Sequence, residues 1–245
     1  MMIYTRIEKI LVKLYLDYKN QKIKIMATEV LTSLFNCADP IQLAYFIADQ
    51  MSVKVENPCN RLREALCTLW EKVIYHIPPT YCDRLYSNTE ADTFQLKQFL
   101  LQTLSLGFTK ERVAAMTTLI VLMKVSWKLF VKDHDAIETI VDIVFKSINE
   151  YGPSDEQLAY LEVIYTLLIL DEKISRLERA RSSWSNQNTG TRIGEEFSID
   201  ENPNYIRQCI NQSNDIANID KTLVHVNIRV RERAERLVSD FFEEN

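Results

Sequence analysis

Side chains able to do chemistry are sparse in this chain. It has only three histidines, His76, His134 and His225. His134 directly precedes Asp135, and such a pair can share a divalent ion when a further His and Asp join it, with His76 available upstream. The run Asp133-His134-Asp135 also stands where a helix needs an N-cap, a place Asp favours, so capping is the expectation and a metal-dependent helical hydrolase the remote alternative. The five cysteines, Cys37, Cys59, Cys67, Cys82 and Cys209, form no C-x-x-C pair and carry no signature of an activated thiol, so they are read as inert. Gly-rich phosphate loops, G-x-S-x-G and H-E-x-x-H are all missing from the sequence. No catalytic residue, metal or cofactor is assigned, and the chain is not read as an enzyme.

Residues suited to binding are easier to find. Arg229, Arg233 and Arg236 recur at helical spacing, with Lys221 and His225 before them on a similar azimuth, a pattern fit to dock an acidic protein or a phosphate backbone. Glu232, Glu235, Asp240, Glu243 and Glu244 share that helix, so a solvated, ion-paired face is the plainer expectation. Lys173, Arg176, Arg179 and Arg181 close an earlier helix, where cations complement the negative end of the dipole, and Ser182 and Ser183 beside them could accept phosphate. Large aromatics with polar tips dominate interface hot spots. Tyr75, Tyr81, Tyr86, Trp184 and Tyr205 fall at helix ends or in loops, and Trp184 and Tyr205 join the three arginines as the partner-binding set.

The elements that carry these residues are helical. Glycine occurs only 4 times in 245 residues, too seldom to turn a sheet. Net charge is −5, which argues against a general nucleic-acid binder, and the odd, unpatterned cysteines fit a reducing, intracellular compartment, nucleus or cytosol. Charges interrupt the first apolar stretch, and the apolar run over 113–123 is too short to cross a bilayer, so neither leader nor anchor is expected. Apolar periodicity predicts helices over 3–18, 22–36, 40–51, 61–76, 90–106, 109–130, 133–151, 155–180, 205–212 and 221–243. Pro78-Pro79 reads as a stop, Gly107 as a left-handed C-cap, and Gly152-Pro153-Ser154 as stop, turn and cap. The aperiodic stretch 181–203 is read as a mobile loop within one domain, 1–245.

Hairpin-like stops about every 40 residues prompt a search for repeats, and four segments answer it. Ile23-Lys24 with Ala27, Val30, Leu31 and Leu34 resembles the second helix of a HEAT repeat, and Val230-Arg231 with Ala234, Leu237, Val238 and Phe241 repeats the spacing. Leu62-Arg63 keeps it with Leu66 for the small residue, and Arg112 with Ala115, Thr118, Leu119 and Leu122 has Glu111 where the aliphatic belongs. The resemblance to HEAT and armadillo-like repeats implies an all-α fold of antiparallel hairpins stacked as a short solenoid. It also implies a non-catalytic protein-interaction scaffold or adaptor, a subunit of a larger complex, with self-association open to it. A nucleic-acid-associated repeat using the last helix's basic face is the alternative.

Overall fold

The computed structural model describes residues 21–34, 41, 44, 47, 48, 60–87, 95–185, 204–213 and 215–242. Among the described residues the regular structure is all helix, with no strand. The helices are α1 Gln21–Leu34, α2 Asn60–His76, α3 Pro79–Ser87, α4 Leu96–Leu106, α5 Thr109–Val125, α6 Trp127–Phe130, α7 His134–Ser147, α8 Ser154–Ser185, α9 Tyr205–Gln212, α10 Asn218–Leu223 and α11 Ile228–Phe241. Contacts divide the chain into two compact units, Met1–Trp127 and Lys128–Asn245.

In the first unit α2 is central and packs on α1 and α5. Its inward stripe is as the spacing predicts: Leu62, Leu66, Leu69, Trp70 and Val73 are each at most 2% exposed, and Cys67 is fully buried beside them. Ala115, Met116, Thr118, Leu119, Leu122 and Met123 of α5 meet that stripe and the flank of α4. Thr118 Oγ1, buried in the seam, donates to the Cys67 carbonyl at 2.9 Å and to its own Ala114 carbonyl at 2.8 Å. The α2 end leads into α3, whose Cys82 lies beside Ser126 just past α5, so α2 and α5 run parallel. α4 returns antiparallel to α5 through only Gly107 and Phe108.

Several expectations are corrected here. Pro78-Pro79 both stops α2 and starts α3, because Pro fits a first helical position, and Cys82, Leu85 and Tyr86 bury the one-sided face of that short helix. The helix expected from Glu90 begins at Leu96, since Gln95 is extended at φ −110°, ψ 101°. Gly107 is also extended, at φ −73°, ψ 160°, so it is no left-handed cap. It is required by crowding: a Cβ there would lie 2.5 Å from the Thr103 carbonyl oxygen. In α1, Ala27 is buried as the spacing predicts, but Val30 is 40% exposed and Ile25 and Thr28 turn inward in its place. The helix expected to reach Phe130 breaks at Ser126. Residues expected to be helical over 3–18, and Cys37 and Cys59, lie outside the described residues.

In the second unit α7, α8, α9, α10 and α11 enclose a core that includes Ile137, Ile140, Val144, Phe145, Tyr160, Leu161, Ile164, Leu167, Val230 and Leu237. Asp133 caps α7, its Oδ1 accepting from the Ala136 N–H at 3.2 Å, as expected. Gln157 closes the α7–α8 turn: its Oε1 accepts from the Asn149 N–H at 3.0 Å and its Nε2 donates to the Ser147 carbonyl at 3.4 Å. That amide fills the space a side chain on Gly152 would need, 2.2 Å from an added Cβ.

The last helix is two helices. α10 ends at Leu223 and α11 starts at Ile228, with Asn227 Oδ1 accepting from the Arg229 N–H at 2.9 Å. Between them His225, 1% exposed, donates from Nε2 to the Gly152 carbonyl at 3.0 Å and accepts the Asn227 N–H on Nδ1 at 3.0 Å. Lys221 and His225 therefore do not extend the arginine face. Gly152 meets His225, Glu162 meets Arg233, and Tyr165 meets Asp240 and Phe241, so α8 and α11 run parallel. At 32 residues α8 is about 48 Å long from a rise of about 1.5 Å per residue, and it runs well beyond the end of α11.

Candidate functional site

Of the three arginines, Arg233 is the most enclosed. Its Nη2 donates to Glu162 Oε2 at 2.8 Å, and its guanidinium carbon lies 3.8 Å from the centre of the Tyr165 ring. Nε lies 2.7 Å from Glu162 Oε1, at an angle too poor for a hydrogen bond, so charge pairing and the Nη2 bond carry the contact. Tyr165 in turn donates to Asp240 Oδ2 at 3.2 Å and meets Phe241 edge to face at 5.3 Å. Arg236 stands 5.7 Å from the same ring and 3.5 Å from Asp240 Oδ2. Arg233 thus binds α11 to α8 through Glu162 and Tyr165, and the Tyr165–Asp240 bond adds a second link, whereas the Arg236–Asp240 pair stays within α11. Arg229 is exposed, as is Arg236, and the Arg229 side chain makes no hydrogen bond or ion pair with a described residue.

Arg231, the basic residue of the repeat-like signature, donates from Nη1 to the carbonyls of His225 at 2.6 Å and Val226 at 3.2 Å. It satisfies the turn before its own helix. Val230, Ala234 and Leu237 of the same signature are buried, whereas Arg229, Glu232, Glu235, Arg236, Ser239 and Asp240 give α11 a charged outer face.

Tyr205 is engaged inside the unit. Its ring stacks on His134 with centroids 3.7 Å apart and planes at 21°, and its hydroxyl donates to Glu138 Oε1 at 2.5 Å. Partial burial, then Glu138 and Cys209, hold the phenol protonated well above its ordinary range. His134 is therefore a stacking partner between α7 and α9. Among the described residues no group of three or more His, Cys, Asp or Glu could hold a metal. The Trp184 side chain lies outside the described residues, as do those of Arg181, Ser182 and Ser183 and the whole of 186–203.

The cluster Lys173, Arg176 and Arg179 does not sit in a last turn, because α8 continues to Ser185. Arg176 pairs with Glu172 at 2.8 Å, and Arg179 Nε donates to the Ser175 carbonyl at 3.1 Å. Together with Asp171, Glu178, Asn204 and Arg207 they line an open polar cavity of about 670 Å³. Asp171, 2% exposed, accepts the Arg207 N–H at 3.2 Å and so caps the start of α9. Burial raises its carboxyl above the ordinary value, against the pull of the Arg207 N–H and guanidinium. Carboxylates and arginines alternate around this cavity and neutralise one another.

The described thiols are poor nucleophiles. Burial pushes Cys82 up to about 11 in spite of the polar Ser126 side chain beside it, raises Cys67 further, and raises Cys209 as well. No described helix is long and apolar enough to cross a membrane. No protein-family model, no curated protein and no solved structure matches the chain.

Proposed function

We propose that this chain is a non-catalytic protein-binding scaffold or adaptor subunit, built as a short HEAT-like stack of antiparallel helical hairpins. The observation that carries the reading is the packing of the signature helices. α2 and α5, which both carry the signature, lie parallel in the first unit, and in the second α11 lies parallel to α8, a helix that lacks the signature's arginine, in the way second helices of neighbouring repeats do. Signature residues Leu62, Leu66, Ala115, Leu119, Val230, Ala234 and Leu237 are all buried in those contacts. α4 supplies the antiparallel first helix beside α5, and the short α10 packs on α11. Such stacks present long ridges of side chains held by rigid elements, which suits them to gripping other proteins.

Nucleic-acid binding through the last helix is the weaker reading, because Arg233 is held by Glu162 and Tyr165, Arg236 is paired with Asp240, and among the described residues only the Arg229 side chain of the three has no ion pair. The test is purification of the tagged chain from its native cells with identification of copurifying proteins, repeated in high salt with nuclease. Protein partners that survive both treatments are the expected result. Partners lost to nuclease, or retained activity on a small substrate with no partner, would overturn it.

A further inference from the structure

We propose that the turn joining α4 to α5 is a docking site for an acidic segment of a partner protein carrying aliphatic or aromatic side chains. This rests on the scaffold reading and specifies where and what the scaffold grips. Leu106 and Phe108 stand on either side of Gly107, and they are 68% and 69% exposed while the glycine between them is buried. A two-residue connection between helices is a place for polar side chains, and two adjacent large apolar groups in water there call for a partner.

The display is fixed. The Gly107 N–H donates to the Thr103 carbonyl at 2.9 Å, and the Arg112 N–H donates to the Phe108 carbonyl at 2.9 Å. An added Cβ on Gly107 would meet the Thr103 carbonyl oxygen at 2.5 Å and Glu111 Cβ at 3.0 Å, so the turn closes tightly on a residue that must be glycine. Its partner therefore meets a preorganised surface.

Charge selects the partner. Within a turn of the tip the charged residues are Lys110 and Arg112 against Glu111, which is 5% exposed, so the tip is locally basic in a chain of net charge −5, whereas Lys97 and Lys124 stand at the far ends of α4 and α5. Lys110, next to the tip, is exposed and makes no ion pair with a described residue. The parallel first turn of α2 adds Arg61 and Arg63 against Glu64, with Arg61 reaching Glu29 at 3.8 Å. An anionic bilayer or a nucleic acid extends far enough to meet the acidic remainder of the chain. A short acidic peptide responds to the field within a Debye length of about 8 Å, where the sign is positive.

The test selects peptides from a displayed random library on the full chain, then measures binding to wild type, to Leu106→Ser with Phe108→Ser, and to Lys110→Glu. The expected peptides carry Asp or Glu around an aliphatic or aromatic residue. They bind the double variant at least tenfold more weakly and Lys110→Glu severalfold more weakly, and lose affinity as salt rises. Circular dichroism melts of both variants should match wild type, since all three side chains are exposed. Peptides that bind all three proteins alike, or no selected peptide, would overturn the proposal. So would a loss in the variants of binding to phosphatidylserine vesicles, to a single-stranded oligonucleotide, or of self-association, with peptide binding unchanged. If the salt-resistant partners of the whole protein persist in the double variant, this site falls and the scaffold reading stands. If no such partners exist at all, the scaffold reading itself falls.

Discussion

Arg233 and Arg229 separate the two fates of a surface arginine. Arg233→Ala removes the Tyr165 stack and the Glu162 pair and should cost about 1–2 kcal/mol, the half-exposed Glu162 limiting the ion-pair share. Arg229→Ala should stay within about 0.5 kcal/mol of wild type. Thermal and denaturant unfolding of the two variants side by side check this. Cys82 yields a pH prediction. Its folded value is about 11 against an ordinary 9.0, so the folded state holds the proton longer, and stability falls as pH rises between these values. Cys82→Ala should flatten that alkaline decline, and wild-type Cys67 and Cys82 should resist alkylation at neutral pH until the chain unfolds. Labelling by both thiols in the native protein would contradict the burial on which this rests.

Elements were legible in the sequence where apolar periodicity and punctuation agreed. The α2 stripe, the Asp133 cap and the bounds of α9 were all written in local residue choice. The α10–α11 break was not, because buried His225 looks like a polar surface residue until Gly152 is brought to it by tertiary packing. α3 was hidden because a Pro-Pro pair signals a stop and a start alike. Tyr205 and Arg233 were visible as residue types, but what occupies them depends on helices far away in sequence, Glu138 and His134 in one case and Glu162 and Tyr165 in the other. Val30 misled because its spacing fits a stripe that in α1 is rotated toward Ile25 and Thr28.

Glu111 tests the signature at element scale. It occupies the place an aliphatic residue holds in the other signature helices, it is 5% exposed, and its Oε2 accepts no hydrogen bond. Glu111→Met keeps the length and removes a buried carboxylate, so α5 should gain about 1 kcal/mol against a first-turn dipole loss of about 0.5 kcal/mol. A raised unfolding midpoint is the expected outcome, and a clear drop would mean that the carboxylate has a partner role in the α2–α5 seam.

At the scale of the whole molecule, the chain forms two compact units of packed helices, with α2 and α5 parallel in the first and α8 and α11 parallel in the second, and the exposed face of α11 is charged along its length. A polar outer face of that kind is how a helical stack meets water. The tip at Leu106 and Phe108 is a different surface, apolar and next to the exposed Lys110, and it is where the proposed partner contact is placed. The most direct measurement is the stoichiometry of the salt-washed, nuclease-treated assembly purified on this chain. A scaffold subunit gives at least one other protein in a fixed small-integer ratio to it. Only substoichiometric or nucleic-acid-dependent companions would contradict the scaffold function.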